Sequence, residues 1–118
     1  MLIKILRAKI HLATVTEACL DYVGSVTIDR DLLDATGMVP GESVLVANRA
    51  NGARLETYIF EGERGSGVIC LNGAAARSAE VGDKLIIMSF GWAEPEEAKT
   101  VKPQVVLVDE KNRVTQRL

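Results

Sequence analysis

Ser25 directly follows Gly24 in the segment Tyr22-Val23-Gly24-Ser25, and a serine so placed can turn on its own backbone. Its hydroxyl can attack the preceding carbonyl when the fold strains that peptide, and glycine permits backbone angles and close approaches that a side chain forbids. The dipeptide alone says little, because Gly65-Ser66 repeats it. Its company says more. Lys9 and His11 stand upstream, and Arg54-Leu55-Glu56-Thr57-Tyr58 runs downstream. In an extended chain residues two apart share a face. Lys9 and His11 therefore point one way, and Arg54, Glu56 and Tyr58 form a row that sets a guanidinium beside a phenol. Thr57 falls on the opposite face with Leu55 and Ile59, so work for its hydroxyl requires a bulge, a strand end or a second site. Asn72-Gly73-Ala74-Ala75-Ala76 offers backbone N–H groups at the start of a helical turn, with side chains small enough for a carboxylate to approach.

Taken singly, each group also has an ordinary reading. The polar row on 54–58 is a solvated face, Lys9 and His11 are edge-strand charges, and 72–76 is a turn entering a short helix. A serine triad would need His11 as base and an acid to orient it, and the spacing identifies no such acid.

The elements that must position these residues read mostly as strands. Partial alternation from Ile3 to Thr16 predicts one or two short strands. Asp29 to Gly37 predicts a short helix, with Asp29 as N-cap and Gly37 just past its end. Pro40-Gly41 is a turn into a strand over Ser43 to Asn48, and Asn51-Gly52 predicts a hairpin into a strand from Ala53 to Phe60. The glycine-rich 62–67 stretch reverses the chain into Val68 to Leu71. A helical turn is expected over Ala74 to Ser78 and an apolar strand over Lys84 to Phe90. Gln104 to Val108 offers one more strand, and the charged Asp109 to Leu118 is expected to be exposed and frayed. Val39 to Val46 and Glu80 to Ile87 resemble each other at an offset of 41 residues, each a glycine-acid turn leading into an apolar strand. Two such halves would close as one small barrel.

Composition narrows the class. A chain of 118 residues is one domain, and 47% hydrophobic with 25% charged residues describes a folded soluble protein. Aromatic residues at 4% leave few stacking platforms, and a net charge of −2 provides no field for a phosphate backbone, so nucleic acid is not expected as a partner. Lys4, Arg7, Lys9 and His11 interrupt any apolar signal core, and no stretch is long and apolar enough to span a membrane. A cytoplasmic protein is expected. Cys19 and Cys70 form no CxxC pair and have only His11 as an imidazole partner, so neither metal nor disulfide is expected. Both cysteines read as buried, reduced small hydrophobes.

The set Lys9, His11, Tyr22, Gly24-Ser25, Arg54, Thr57-Tyr58 and Asn72-Gly73-Ala74-Ala75 closely resembles the motifs of the pyruvoyl-dependent aspartate 1-decarboxylases. Ile28-Asp29, Leu33-Asp34, Asn51-Gly52 and Glu63-Arg64-Gly65-Ser66 extend the resemblance, which is strongest from Met1 to Phe90 and weakest after Pro95. The resemblance implies a proenzyme with a double-psi β-barrel fold, mainly β with a few short helices. Ser25 would attack the Gly24 carbonyl, giving a β chain of residues 1–24 and an α chain of residues 25–118 that begins with a pyruvoyl group. That group, generated from Ser25 and covalently bound, would form a Schiff base with the substrate, with no metal and no pyridoxal phosphate. The implied reaction is the decarboxylation of L-aspartate to β-alanine, for pantothenate and coenzyme A synthesis. Tyr58 is implied as proton donor, Thr57 as a support for cleavage and a substrate contact, and Gly73, Ala74 and Ala75 as substrate-binding backbone. Lys9 and Arg54 match carboxylate-binding cations, and His11, Tyr22, Gly24 and Asn72 are carried over as supports of processing. A homotetramer of processed units is implied. Two alternatives stay open at this level: a non-catalytic small barrel that binds a ligand or partner, and a pyruvoyl decarboxylase for another acidic amino acid.

Overall fold

Strands dominate because β-branched and apolar residues alternate through most of the chain, and the computed structural model, which describes residues 1–118, is mainly β as expected. The elements are β1 (Ile3–Thr14), β2 (Glu17–Cys19), β3 (Ser25–Asp29), α1 (Arg30–Thr36), β4 (Ser43–Asn48), β5 (Arg54–Gly62), β6 (Ile69–Asn72), a 3₁₀ turn (Gly73–Ser78), β7 (Lys84–Ala93), α2 (Pro95–Ala98), β8 (Gln104–Val108) and β9 (Val114–Arg117). Asp29 caps α1 through its side chain, which accepts from the Asp31 N–H, and Gly37 ends the helix in the left-handed conformation.

The strands run in the order β2-β6-β3-β5-β4-β7-β1-β8-β9. One end of this order, β2, is joined by the chain itself to β1, two strands in from the other end. β1 pairs with β7, then continues through Val15 and Thr16 into β2, which pairs with β6. The Thr16 N–H donates to the Ile69 carbonyl at 2.8 Å, sealing that junction. The result is a closed barrel with parallel pairings at β2–β6 and β3–β5, the double-psi arrangement. Ile10, Ile28, Leu32, Leu33, Ile59, Ile69, Leu71, Leu85 and Ile87 are fully buried inside it. The interior is occupied by side chains, so any ligand site lies at the surface.

The repeated turns do the same job twice. Gly41 and Gly82 both take positive φ, 86° and 95°, ahead of β4 and β7, which then pair antiparallel. Behind the first turn the Glu42 carboxylate accepts from Arg7 and from Ser89, tying the turn to β1 and β7. Burial alone would push this carboxyl up, but the Ser89 hydroxyl, the Arg7 guanidinium and the Val39 N–H outweigh it and hold it below the usual range.

Three expectations change. Ile3 to Thr14 is one long strand rather than short pieces, because bulges after Leu6 and after His11 let it bend around the barrel without breaking. Leu12, at φ 66°, absorbs the second bulge. The tail is not frayed. Residues 109–113 form a turn, β9 pairs with β8, and Asn112 is buried, accepting from the Thr14 N–H and donating to the Thr14 and Gly67 carbonyls. β8 is therefore paired on both edges, with β1 and with β9. Finally, only Cys70 is a buried thiol; Cys19 is exposed on the short edge strand β2.

Candidate active site

Ser25 is the first residue of β3 and is only 1% exposed. It sits opposite Asn72, the last residue of β6, in the antiparallel β3–β6 pair. Asn72 reaches across with its amide: Nδ2 donates to Ser25 Oγ at 2.9 Å and to Thr27 Oγ1 at 3.0 Å. The serine hydroxyl is thus fixed as an acceptor of one hydrogen bond, and its own proton stays available for transfer.

The chain before Ser25 lies against the turn after Asn72. Gly73 has φ 65°, and a Cβ there would come within 2.8 Å of Gly24 Cα and 3.0 Å of the Tyr22 carbonyl oxygen. Only glycine fits where two backbones touch in this way. Gly24 itself departs from expectation: its φ lies outside the left-handed region, and the positive angle belongs to Gly73. A Cβ at position 24 would meet only the Asn72 carbonyl oxygen at 3.8 Å, an ordinary contact, so the close approach of the two backbones requires glycine at 73 rather than at 24.

Gly24, Thr57, Tyr58, Asn72, Ala74 and Ala75 line one surface cavity of about 370 Å³, together with Leu55, Glu56 and Ser78. Consecutive residues from both faces of β5 border it for a topological reason. β3 pairs with β5 only from Val26–Ile59 onward, so the 54–58 half of β5 leaves that edge open toward the 3₁₀ turn. A cleft entered edge-on meets side chains of both faces, and that is how Thr57 joins Tyr58 despite pointing the other way. Tyr58 is 41% exposed there.

Other residues of the sequence-derived set lie elsewhere. Lys9 and His11 are on the outer face of β1, where the row Lys9–Met88–Leu45–Glu56 and the row His11–Ile86–Ala47–Arg54 cross four strands in register. Three strand spacings separate the β1 and β5 ends of each row, about 14 Å measured along the sheet. Arg54 is exposed at the start of β5 and does not border the cavity. Burial first, then the positive charges of Lys9 and Arg49, lower the His11 pKa, so the imidazole is neutral at pH 7; its Nδ1 is buried without a partner. Tyr22 is exposed and borders a second cavity of about 250 Å³ on the other side of Asn72, with Glu17, Cys19, Thr27 and Cys70.

Two members of the site are not among the residues singled out from sequence. Thr27 shares the Asn72 amide with Ser25, and period two places it on the same face as Ser25, so its spacing was a usable signal. Cys70 contacts Asn72 from behind, and nothing in the sequence distinguishes it from an ordinary core cysteine.

Known proteins similar to this chain are aspartate decarboxylases. A family model described as aspartate decarboxylase matches residues 1–115. The aspartate 1-decarboxylase of Lactiplantibacillus plantarum is 60% identical over 118 residues, covering 100% of this chain and 91% of that protein. The aspartate 1-decarboxylase of Listeria monocytogenes is 61% identical over 109 residues, covering 92% and 86% of the two chains. Among solved structures, the computationally designed msDPBB_sym2 protein is similar with a TM-score of 0.46 and 18% identity, over 74% of this chain and 99% of that one. With the match running through Ser25, the cavity beside it and all but the last three residues, this chain belongs to the aspartate decarboxylase family.

Proposed function

We propose that the chain is a proenzyme that cuts itself between Gly24 and Ser25 and then converts L-aspartate to β-alanine and CO₂, feeding pantothenate and coenzyme A synthesis in the cytoplasm. One observation carries this reading: a buried serine hydroxyl, held by Asn72 at 2.9 Å, sits one residue from a glycine that borders a small-walled cavity. Ser25 Oγ would bond to the Gly24 carbonyl carbon while the C–N bond breaks and the freed nitrogen takes the proton. The resulting ester loses Gly24 as a carboxylate by elimination across Cα–Cβ of residue 25, and water then releases ammonia from that residue, leaving a ketone at the new chain start. Residues 1–24 and 25–118 remain one folded unit.

The surroundings fit a pyruvoyl group at position 25. The side chain being converted is small and buried, the cavity wall at Ala74 and Ala75 is equally small, and the 3₁₀ turn that carries them would offer backbone N–H groups to a substrate carboxylate. That group supplies the electron sink for loss of CO₂. The chain's own residues do the rest. Tyr58 Oη delivers a proton to the carbon that gave up its carboxylate, Thr57 supports cleavage and then contacts substrate, and Gly73, Ala74 and Ala75 present backbone. His11, Tyr22 and Asn72 act in processing rather than turnover.

Lys9 and Arg54 are the carboxylate-binding cations of this reading, and they stand differently: Lys9 lies across the sheet from the cavity, whereas Arg54 directly precedes Leu55 of its wall. Arg54 grips a carboxylate in bidentate fashion where Lys9 offers a point charge. Their sheet face, carrying the partly buried Leu45, Ile86 and Met88 and the exposed Trp92, docks on a second copy, and a homotetramer of processed units presents Lys9 to a neighbour's cavity.

Intact-mass measurement on purified protein tests the core of this reading. Two polypeptides, residues 1–24 and 25–118, are expected, the larger with a blocked N-terminus. Ser25→Ala should give one uncut chain without decarboxylase activity. An intact wild-type chain that still turns over aspartate would refute the mechanism.

A further inference from the structure

Asn72 can hold Ser25 in two ways, because rotating its amide by half a turn exchanges the NH₂ group for the oxygen. In one orientation the amide donates to Ser25 Oγ; in the other it accepts the serine's proton. Ser25 and Thr27 do not choose between them, since each hydroxyl both donates and accepts. The choice comes from the opposite side. Cys70 Sγ lies 3.2 Å from Asn72 Oδ1 and 3.9 Å from the Leu71 carbonyl oxygen; the shorter contact takes the thiol's single proton, and Oδ1 receives no other hydrogen bond. A thiol is a poor acceptor, so the reversed amide would aim N–H at sulfur and lose this contact.

The surroundings keep the proton on sulfur. Cys70 is 5% exposed. Burial first, then the negative charge of Glu17, which is its register partner on β2, push the thiol pKa up to about 11. At neutral pH the group is a protonated donor and a poor nucleophile.

We propose that Cys70 is a positioning residue for self-cleavage: its thiol fixes the orientation of the Asn72 amide, which in turn presents Ser25 Oγ as an acceptor with its proton free to leave. This inference rests on the maturation reading above. It concerns the cutting step alone, because Ser25 Oγ no longer exists in the processed chain.

The test follows cleavage by intact mass over time after refolding of the uncut precursor. Cys70→Ser keeps an O–H donor and should cut at close to the wild-type rate. Cys70→Ala and the volume-preserving Cys70→Val remove the donor and should slow cutting by about tenfold, the effect of one buried hydrogen bond. Melting temperatures measured with Ser25→Ala in every background report folding separately from cutting. In an Asn72→Ala background the Cys70→Ala change should have no further effect on the rate, as expected when one residue acts only through another. Equal cutting by folded Cys70→Ala and wild type would overturn the inference and leave the maturation reading intact. So would equal slowing in Cys70→Ser and Cys70→Ala, or full additivity with Asn72→Ala. A wild-type chain that never cuts would overturn both.

Discussion

Tyr58 stands at the wall of the cavity with its phenol open to solvent, whereas Ser25 is sealed beneath Asn72, and this difference in access separates their tasks. A proton delivered after CO₂ has left is needed in turnover and not in cutting. Tyr58→Phe should therefore mature normally, seen as two fragments by mass spectrometry, and lose about 10²- to 10⁴-fold in decarboxylation rate. A fully active, fully cut Tyr58→Phe protein would remove the phenol from that role. The residues of the cavity were legible in the sequence as a set of types, and period two correctly placed Lys9 with His11 on one face. It misled for Thr57, because a face assignment carries no information about where a neighbouring strand stops. The β3–β5 pairing begins only at Val26–Ile59, and that single register decides which edge of β5 is open. Tyr22 illustrates the same limit: it is two residues from Gly24 in the chain, yet it borders the other cavity.

The contact between the segment before Ser25 and the 3₁₀ turn is where two elements meet without side chains to cushion them. An alanine at position 73 would pay for a left-handed φ and would also press its Cβ into Gly24. Backbone cannot yield as a flexible side chain does, so the 22–24 segment must move. Gly73→Ala should slow cutting by at least about 10²-fold. In the uncut Ser25→Ala background it should also lower the melting temperature by at least about 4 °C. Unchanged cutting would show that this contact does not set the geometry of the Gly24–Ser25 peptide. Local signals were strong enough to find α1, β4, the hairpin and β7 within a few residues, since caps, glycine turns and apolar alternation are all short-range. β9 was not legible, because its order depends on Asn112 reaching Thr14, 98 positions away in the chain. No window of local sequence contains both partners.

At the scale of the whole molecule, Lys9 and the cavity stand at opposite ends of one row across the sheet, because Glu56 at the far end of that row borders the cavity. If Lys9 serves a neighbour's cavity while Tyr58 serves its own, two dead variants can repair each other. Lys9→Ala and Tyr58→Phe, co-expressed, should recover up to about a quarter of wild-type activity in mixed oligomers, because some sites draw both intact residues from different copies. Failure to complement in confirmed mixed oligomers would place both residues in one subunit, and an active monomer by light scattering would exclude the assembly. A different consequence follows from the path of β1. It lies inside the sheet, with β7 on one side and β8 on the other, and residues 15–19 go on to close the barrel against β6. A cut after Gly24 leaves that strand in place but changes the molecularity of folding. The precursor reaches its native state as a single chain, at a rate indifferent to concentration. A processed protein of this kind, once unfolded, would have to recruit a separate short peptide into the middle of a sheet, so closing each barrel would become concentration-dependent, as it is not in the uncut chain. If the chain cuts as proposed, folding must come first and cutting second, and the mature molecule would carry a structure that its own pieces are poorly equipped to find again.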